Sequence, residues 1–315
     1  GRVAGAAAAP VAQPRQQPQQ QPQQRPEPQR PEGQVPPPAA AAAAPLVDPG
    51  AEQSVLIRRE TLRELERELD GGAGVQALRR FNAALEALPE AGWEAAMRPV
   101  WAEMAYNLES FNPVFTACLL KVQSSIGASD YEKRDACLQS LIQPLAGEYG
   151  MHVGEPLGRT HRALFAEWYA SVTLGDLQRD VLGDPELRPA AAELLFSQMM
   201  RDVQGGGGGA GAVEQASYAL GYNLAVEYLA DPEKTWLLES FRRFHARVLA
   251  PLGRDVAWEF LEVHAEGEKE HAEVGHEAVA AFAPASHVEI LRRAMRDHDR
   301  DFAAYYHRLA DLLEA

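Results

Sequence analysis

The sequence predicts an all-α protein. Beyond the first 47 residues, segment after segment has apolar residues at helical spacing, and proline or glycine marks most segment ends. Ser286 and Glu289 have the spacing of a helix-capping box. No stretch shows the turn-bounded alternation of apolar and polar residues that is typical of a β-strand.

The predicted helices are, in order, 53–70, 75–88, 92–110, 113–124, 131–148, 156–175, 185–203, 213–229, 232–250, 251–282 and 287–315. Several are predicted to begin at a proline, which is favoured in the first helical turn. The glycine run 205–209 lacks the lysine and the preceding strand of a phosphate-binding loop, so it is predicted to be a flexible connector. The polar segment 297–301, DHDRD, is predicted to be a solvated helix face.

The chain is predicted to have two regions. Residues 1–47 are mostly Gln, Pro and Ala, and they lack the large apolar side chains that a core needs, so this tail is predicted to be disordered. Residues 48–315 are long enough for one helical domain. The tail has arginines and few acids, as organelle transit peptides do, but almost no serine. A cytoplasmic location and an organellar one, such as a plastid, therefore both stay open.

Charge and cysteine content narrow the function classes. The formal net charge of −15 disfavours nucleic acid and anionic membrane surfaces as partners. No run approaches the roughly 18 apolar residues of a membrane helix. Cys118 and Cys137 are isolated, so we expect buried, reduced thiols in a reducing compartment. A homodimer is compatible with this composition.

The segment FLEVHAEGEKEHAEVGHEA, residues 260–278, carries the main chemical signal. His264, Glu268 and His271 lie at i, i+4 and i+7, within roughly 60° of arc on one helix face. The two imidazoles are roughly 10 Å apart with the carboxylate between them, so each could bind one of two metal ions about 3.5 to 4 Å apart. Nitrogen and oxygen donors suit iron, manganese or zinc. A solvated acidic helix is the alternative that these three residues alone would favour.

Two further segments offer donors in apolar surroundings. Glu227 lies in ASYALGYNLAVEYLA, where its neighbours are almost all small or apolar, so its burial would require a partner or a metal. Exposure at the helix end is the alternative. Glu148 ends one predicted helix, and His161 follows shortly before apolar and aromatic residues. A capping or core histidine is the alternative for His161.

Together these segments resemble the heme-oxygenase-like diiron oxidase and oxygenase family, whose members carry no heme. The resemblance covers roughly residues 99–279 and implies a heme-oxygenase-like multi-helical bundle. It also implies six metal ligands, which in this sequence are Glu148, His161, Glu227, His264, Glu268 and His271. The family more often has Asp at the position of Glu268, and the 148–161 segment is long, so His152 is a rival to His161.

The resemblance implies an O2-dependent oxidoreductase with two irons, or one iron and one manganese, acting on a small organic substrate. Family chemistries include desaturating decarboxylation, amine N-oxygenation, amino-acid fragmentation and aminobenzoate formation from a tyrosine, and the electron donor stays open. Four aromatic residues near the ligands in the sequence are candidates for the substrate pocket, although core packing is the alternative for each: Trp168, Tyr169, Tyr222 and Phe260. We expect the helix of His264 to pack against the helix of Glu227, because a bridging carboxylate must reach both metals.

This function has three alternatives. A ferritin-like bundle needs ExxH motifs on two helices, but residues 268–271 and 273–276 share one helix and are turned by roughly 140°. A metal-free helical binding protein on the same fold is a second alternative. A thiaminase-like hydrolase is the third, and it would need a nucleophilic cysteine, whereas neither cysteine is adjacent to the candidate ligands in the sequence.

Deleting residues 1–45 should leave the helical circular-dichroism signal and the melting temperature unchanged, because that segment has no apolar side chain larger than Val with which to join the core. Thermal melts of the full and the truncated chain test this. A loss of cooperative unfolding after truncation would contradict the predicted boundary.

Overall fold

Helices account for nearly all of the regular structure. The computed structural model describes residues 55–315, except 153, 154 and 157, and it describes no side chains at 152–157 or 267–271. The predicted tail, residues 1–47, lies outside this range. The helices are α1 (Arg59–Arg67), α2 (Ala73–Ala87), α3 (Trp93–Gln123), α4 (Tyr131–Glu148), α5 (His161–Thr173), α6 (Ala190–Gly205), α7 (Ala212–Phe244), α8 (Glu259–Phe282) and α9 (Val288–Glu314). Two-residue strands, β1 (Met151–His152) and β2 (Glu155–Pro156), pair antiparallel. The predicted all-α fold class is confirmed.

Two of the predicted helix breaks are wrong. Pro113 lies inside α3 and Pro232 lies inside α7, so each pair of predicted helices is one continuous helix. A proline inside a helix removes one backbone hydrogen bond and costs roughly 3 kcal/mol. Packing offsets that cost, because buried apolar side chains such as Phe115 and Leu237 follow the prolines closely.

Helix α7 is the centre of the bundle. Every residue from 216 to 225 is buried, as expected for a helix that is covered on all sides. It packs mainly against α8 and α9, and also against α2 and α3. The contact with α8 agrees with the expectation that the helix of His264 packs against the helix of Glu227. Further extensive contacts join α2 to α9, α4 to α8 and α3 to α6.

The glycine run before α7 forms a tight turn, which corrects the prediction of a flexible connector. Gly206 and Gly207 have φ angles of +57° and +59°, in the left-handed region that favours glycine. A Cβ atom on Gly207 would lie 2.2 Å from the ring of Tyr218. Glycine is therefore needed here because the turn packs directly on α7.

An aromatic cluster fills the interior between α3, α5, α7 and α8. The rings of Trp101 and Trp168 are edge to face at 4.9 Å, and Trp168 stacks on Phe260 at 5.4 Å. Phe165 and Phe241 complete the cluster. Cys118 and Cys137 are free thiols in the core, as predicted. In residues 55–315, as far as they are described, no helix is long and apolar enough to cross a membrane.

Replacing Gly221 by Ala should destabilise the fold by about 1–3 kcal/mol, because α7 and α9 touch at this point without room for a side chain. A Cβ on Gly221 would lie 2.9 Å from the Cα of Leu291. Gly147→Ala is the matched control, since no atom lies within 4 Å of its added Cβ. Urea unfolding measures both variants. Equal stability of the two would contradict the close approach.

Candidate metal centre

Three predicted ligands converge. Glu148, His161 and His264 each present a donor atom, and these atoms all lie within 4.8 Å of one another. His264 is buried with 5% exposure, and the other two side chains are mostly buried. The residues come from the end of α4, the start of α5 and the second turn of α8. Carboxylate and imidazole donors drawn from three helices form a candidate metal centre.

A chain reversal brings Glu148 and His161 together. Gly150 has a φ of +68°, and its carbonyl accepts a hydrogen bond from the Gly158 amide at 3.1 Å. A Cβ on Gly150 would lie 2.6 Å from the Gly158 carbonyl oxygen, so glycine is required there. The segment between Glu148 and His161 is therefore long, but it folds back and leaves the two side chains close together.

A helix cap fixes the position of His161. Thr160 precedes α5, and its hydroxyl accepts a hydrogen bond from the Ala163 amide at 3.2 Å. This is the usual role of a Thr N-cap, which makes the next residue the first of the helix. His161 therefore starts α5 at the point where the chain has returned to Glu148.

A backbone carbonyl orients His264. The Nδ1 atom lies 2.6 Å from the carbonyl oxygen of Phe260, one helical turn earlier. A carbonyl only accepts hydrogen bonds, so Nδ1 carries a proton, and Nε2 is the nitrogen that would bind a metal. A backbone acceptor of this kind typically fixes the tautomer and the ring plane of a metal-binding histidine. The ring centroids of His264 and His161 are 4.3 Å apart.

The spacing of the donors fits a metal ion. His161 Nδ1 lies 2.9 Å from Glu148 Oε1, yet His161 Nδ1 has no hydrogen-bond partner among the described residues, because the ring is not aimed at the oxygen. Two ligands held at about 2.1 Å from one cation, at right angles, lie roughly 3 Å apart. The separation of these two atoms is therefore that of neighbouring ligands, and two imidazoles with one carboxylate match the donor set of non-heme iron.

A cavity adjoins the three donors. Glu148 and His264 line it, together with Glu227 of α7. Most of the remaining lining is apolar or aromatic, including Met104, Leu108, Phe111, Leu195, Met199, Leu237 and Phe302. The cavity volume that is open to the centres of water molecules is about 90 Å³. A single water needs roughly 10–15 Å³ of such volume. It can hold several waters or a small organic molecule.

Glu227 is buried, with 2% exposure, so the alternative in which it reaches water at the helix end is wrong. Its charge also raises the pKa of Cys118, although burial of the thiol is the larger cause. Cys118 therefore lies closer to a candidate ligand than the sequence indicated, because α3 packs against α7. Both Glu148 and Glu227 face the cavity, and a bound cation would offset the repulsion and the desolvation of two such carboxylates.

The remaining predicted ligands lie outside the described side chains. Glu268 and His271 belong to α8, and His152 belongs to β1, but the structure describes only their backbone. Their roles therefore stay predictions. His276, on another face of α8, lies with its Nε2 atom 2.7 Å from Glu66 Oε1 of α1. That pairing agrees with the expectation that His276 faces away from the metals.

One of the four predicted pocket residues, Phe260, lines the cavity. Trp168, Tyr169 and Tyr222 are not part of its described lining, which corrects that prediction and favours core packing for these three. Trp168 belongs to the aromatic cluster, and Tyr169 packs edge to face on Trp101 at 5.4 Å. The Tyr222 hydroxyl donates to Asp301 Oδ2 at 3.1 Å instead.

The sequence interpretation missed the contribution of α9. The segment 297–301 was expected to be solvated, but His298 and Asp301 are 2% and 1% exposed. His298, Phe302 and Tyr305 line the cavity, and their i, i+4, i+7 spacing places them on one helix face. This shared helix face was the sequence signal that could have revealed the α9 side of the cavity. The polar residues between the three positions obscured it.

An ion pair of α7 completes the polar part of the cavity. Lys234 Nζ lies 2.8 Å from Glu233 Oε1, and the Tyr306 hydroxyl donates to the same oxygen. Burial and the nearby carboxylate hold the pKa of Tyr306 well above its usual range, so the phenol keeps its proton. No sequence pattern indicated this cluster, because Glu233 and Lys234 follow Pro232 at a predicted helix start.

Comparison with known proteins identifies the fold. No protein-family model matches the sequence, and no curated protein matches it. A crystal structure of a CADD-like protein of unknown function from Nostoc punctiforme PCC 73102, at 1.35 Å resolution, matches with a TM-score of 0.56 at 14% identity, covering 81% of this chain and 95% of the other. A TenA homolog from Pseudomonas syringae pv. tomato str. DC3000 matches with a TM-score of 0.53 at 16% identity, covering 81% and 96%.

Identities this low carry information about the fold alone. Both neighbours are helical-bundle proteins of the heme-oxygenase-like superfamily. The chain therefore has the all-α heme-oxygenase-like fold that its sequence predicts.

Proposed function

We propose that this protein is an O2-dependent non-heme iron oxidase or oxygenase that holds two metal ions and oxidises a small, largely apolar organic substrate. The observation that carries the proposal is the convergence of Glu148, His161 and His264 beside an apolar cavity. Two imidazoles and one carboxylate are the donors typical of non-heme iron sites that react with O2.

The proposed ligands extend beyond the described cluster. Glu227 lines the same cavity from α7, which packs against α8, so it would be a further metal ligand. Glu268 and His271, further along α8, would complete the six-ligand set. Iron at both positions, or manganese at one, fits these donors. When bound, ferrous iron supplies the electrons that reduce O2 and so makes oxidation of an organic substrate accessible.

The protein prepares the site in three ways. The Phe260 carbonyl holds the His264 proton on Nδ1 and so keeps a fixed ring orientation. Aromatic packing beneath the ligands, from Phe165 and Trp168 onto Phe260, keeps water away from one side. The apolar cavity wall favours an uncharged substrate over water. These features orient a metal ligand, favour binding of an uncharged substrate and limit side reactions with solvent.

A thiol-dependent hydrolase on this fold is the alternative, and one observation argues against it. The chain has two cysteines, and both are buried. Burial, with a smaller contribution from Glu227, raises the pKa of Cys118 to about 12. Burial also holds the pKa of Cys137 well above its usual range. A nucleophilic cysteine needs the opposite, a lowered pKa and access to substrate.

Anaerobic titration with ferrous iron, followed by desalting and metal analysis, tests the proposal. The unaltered protein should retain about two irons per chain. His161→Ala and His264→Ala should each retain about one or fewer and lose O2 uptake in the presence of a reductant, because each removes one imidazole ligand.

The matched control is His307→Ala, because His307 is exposed on α9. His276→Ala is unsuitable, since it would leave the buried Glu66 carboxylate without its partner. Equal iron binding by His264→Ala and His307→Ala would refute the site. One iron per chain in the unaltered protein would replace the dinuclear proposal by a mononuclear one.

Neither thiol should react readily with a disulfide reagent at pH 8 in the folded protein. A pKa raised from 9.0 to about 12 lowers the thiolate fraction of Cys118 by about a thousandfold at that pH. Both thiols should react at once in denaturant, which is the internal control. Absorbance of the released thiolate measures the rates, and rapid modification of the native protein would restore the thiol-dependent alternative.

A further inference from the structure

His298 is a buried histidine to which the protein gives no hydrogen bond. It is 2% exposed in α9, and neither ring nitrogen has a hydrogen-bond partner among the described residues. It also lines the cavity beside the candidate metal centre. Buried polar atoms are almost always paired, so an unpaired imidazole that borders a cavity indicates a partner that enters the cavity.

The protonation state of His298 defines what it can bind. Burial lowers its pKa to about 3, so the ring is neutral near pH 7. A neutral imidazole offers one N–H donor and one lone pair. It can therefore donate to and accept from an uncharged group, but it cannot supply a positive charge to an anion.

Two hydroxyls in the region of His298 are engaged elsewhere. Tyr222 packs edge to face on the ring at 5.0 Å, and its hydroxyl donates to Asp301. The Tyr306 hydroxyl donates to Glu233. Phe302, at 5.7 Å, offers only hydrocarbon. Neither hydroxyl pairs with the ring, so both nitrogens of His298 are open to a molecule that enters the cavity.

The cavity favours an occupant with a mostly apolar body. Phe111, Met199, Leu195 and Phe302 form part of the lining, and such a wall gains free energy by contact with hydrocarbon. The charged groups Glu233 and Lys234 pair with each other at 2.8 Å. An ionised occupant would lose its hydration without gaining a counter-charge from His298.

We propose that His298 binds the hydroxyl, or an equivalent uncharged hydrogen-bonding group, of a small apolar substrate in this cavity. Such a compound would be the substrate class of the proposed function. Its oxidation depends on that function, although its binding in the cavity needs no iron. His298 would hold the polar end while the apolar lining takes the body, as in small-molecule sites where a few polar groups set the orientation.

Calorimetric titration of the full chain with 4-methylphenol and with toluene tests the proposal, because the two probes differ by one hydroxyl. The unaltered protein should bind 4-methylphenol about tenfold more tightly than toluene. His298→Phe keeps an aromatic ring and removes both nitrogens, so it should abolish this preference and leave toluene binding within about twofold. His298→Gln retains a donor and an acceptor and should keep part of the preference.

His307→Phe is the matched control, because it makes the same exchange at an exposed position of the same helix, and it should keep the full preference. His298→Phe should melt at or above the temperature of the unaltered protein, since it removes unpaired buried polar atoms. An unchanged preference in His298→Phe, or no saturable binding of either probe by the unaltered protein, overturns the proposal. Iron content is measured on the same samples. Because binding of the two probes does not depend on the number of metals bound, a failure of this proposal can be distinguished from a failure of the iron proposal.

Discussion

Buried charge is the constraint on which this structure depends. Glu148, Glu227 and Glu233 face one cavity inside a core of hydrocarbon and aromatic side chains, where an isolated carboxylate is strongly disfavoured. Lys234 and the Tyr306 hydroxyl stabilise Glu233. Glu148 has the imidazole of His161 at 2.9 Å, and under the proposed function a cation would be a further partner of this donor set. The bundle can therefore keep a polar interior only where its helices supply compensating groups.

The fold was accessible from the sequence because helical periodicity and capping are local signals. The predicted range of α4 agrees with the structure at both ends. The predictions failed where contacts between residues far apart in the sequence determine the local structure. Pro113 and Pro232 stay inside long helices because packing offsets a local cost, and Gly207 forms a fixed turn because Tyr218 lies against it. No pattern within a dozen residues contains that information.

Part of the candidate site could be predicted from the sequence for a similar reason. His161 and His264 belong to motifs whose residue types carry recognisable chemistry, and the structure brings both beside Glu148. The α9 side of the cavity was missed because His298 and Asp301 lie in a polar run, where composition predicts exposure. Helix faces that carry polar residues into the interior break the rule that polar residues face water, so hydropathy alone assigns them wrongly.

The Gly150 to Gly158 reversal has a consequence for how the cluster assembles. Glu148 and His161 form a short-range contact, closed by this turn, whereas His264 lies about 100 residues further along the chain. The first two donors can meet once α4 and α5 exist, but the third arrives only when α8 docks. A cation bound by all three would therefore couple local opening of the turn to the attachment of α8. Slowed amide exchange in the first turn of α5 would then report that long-range order has formed.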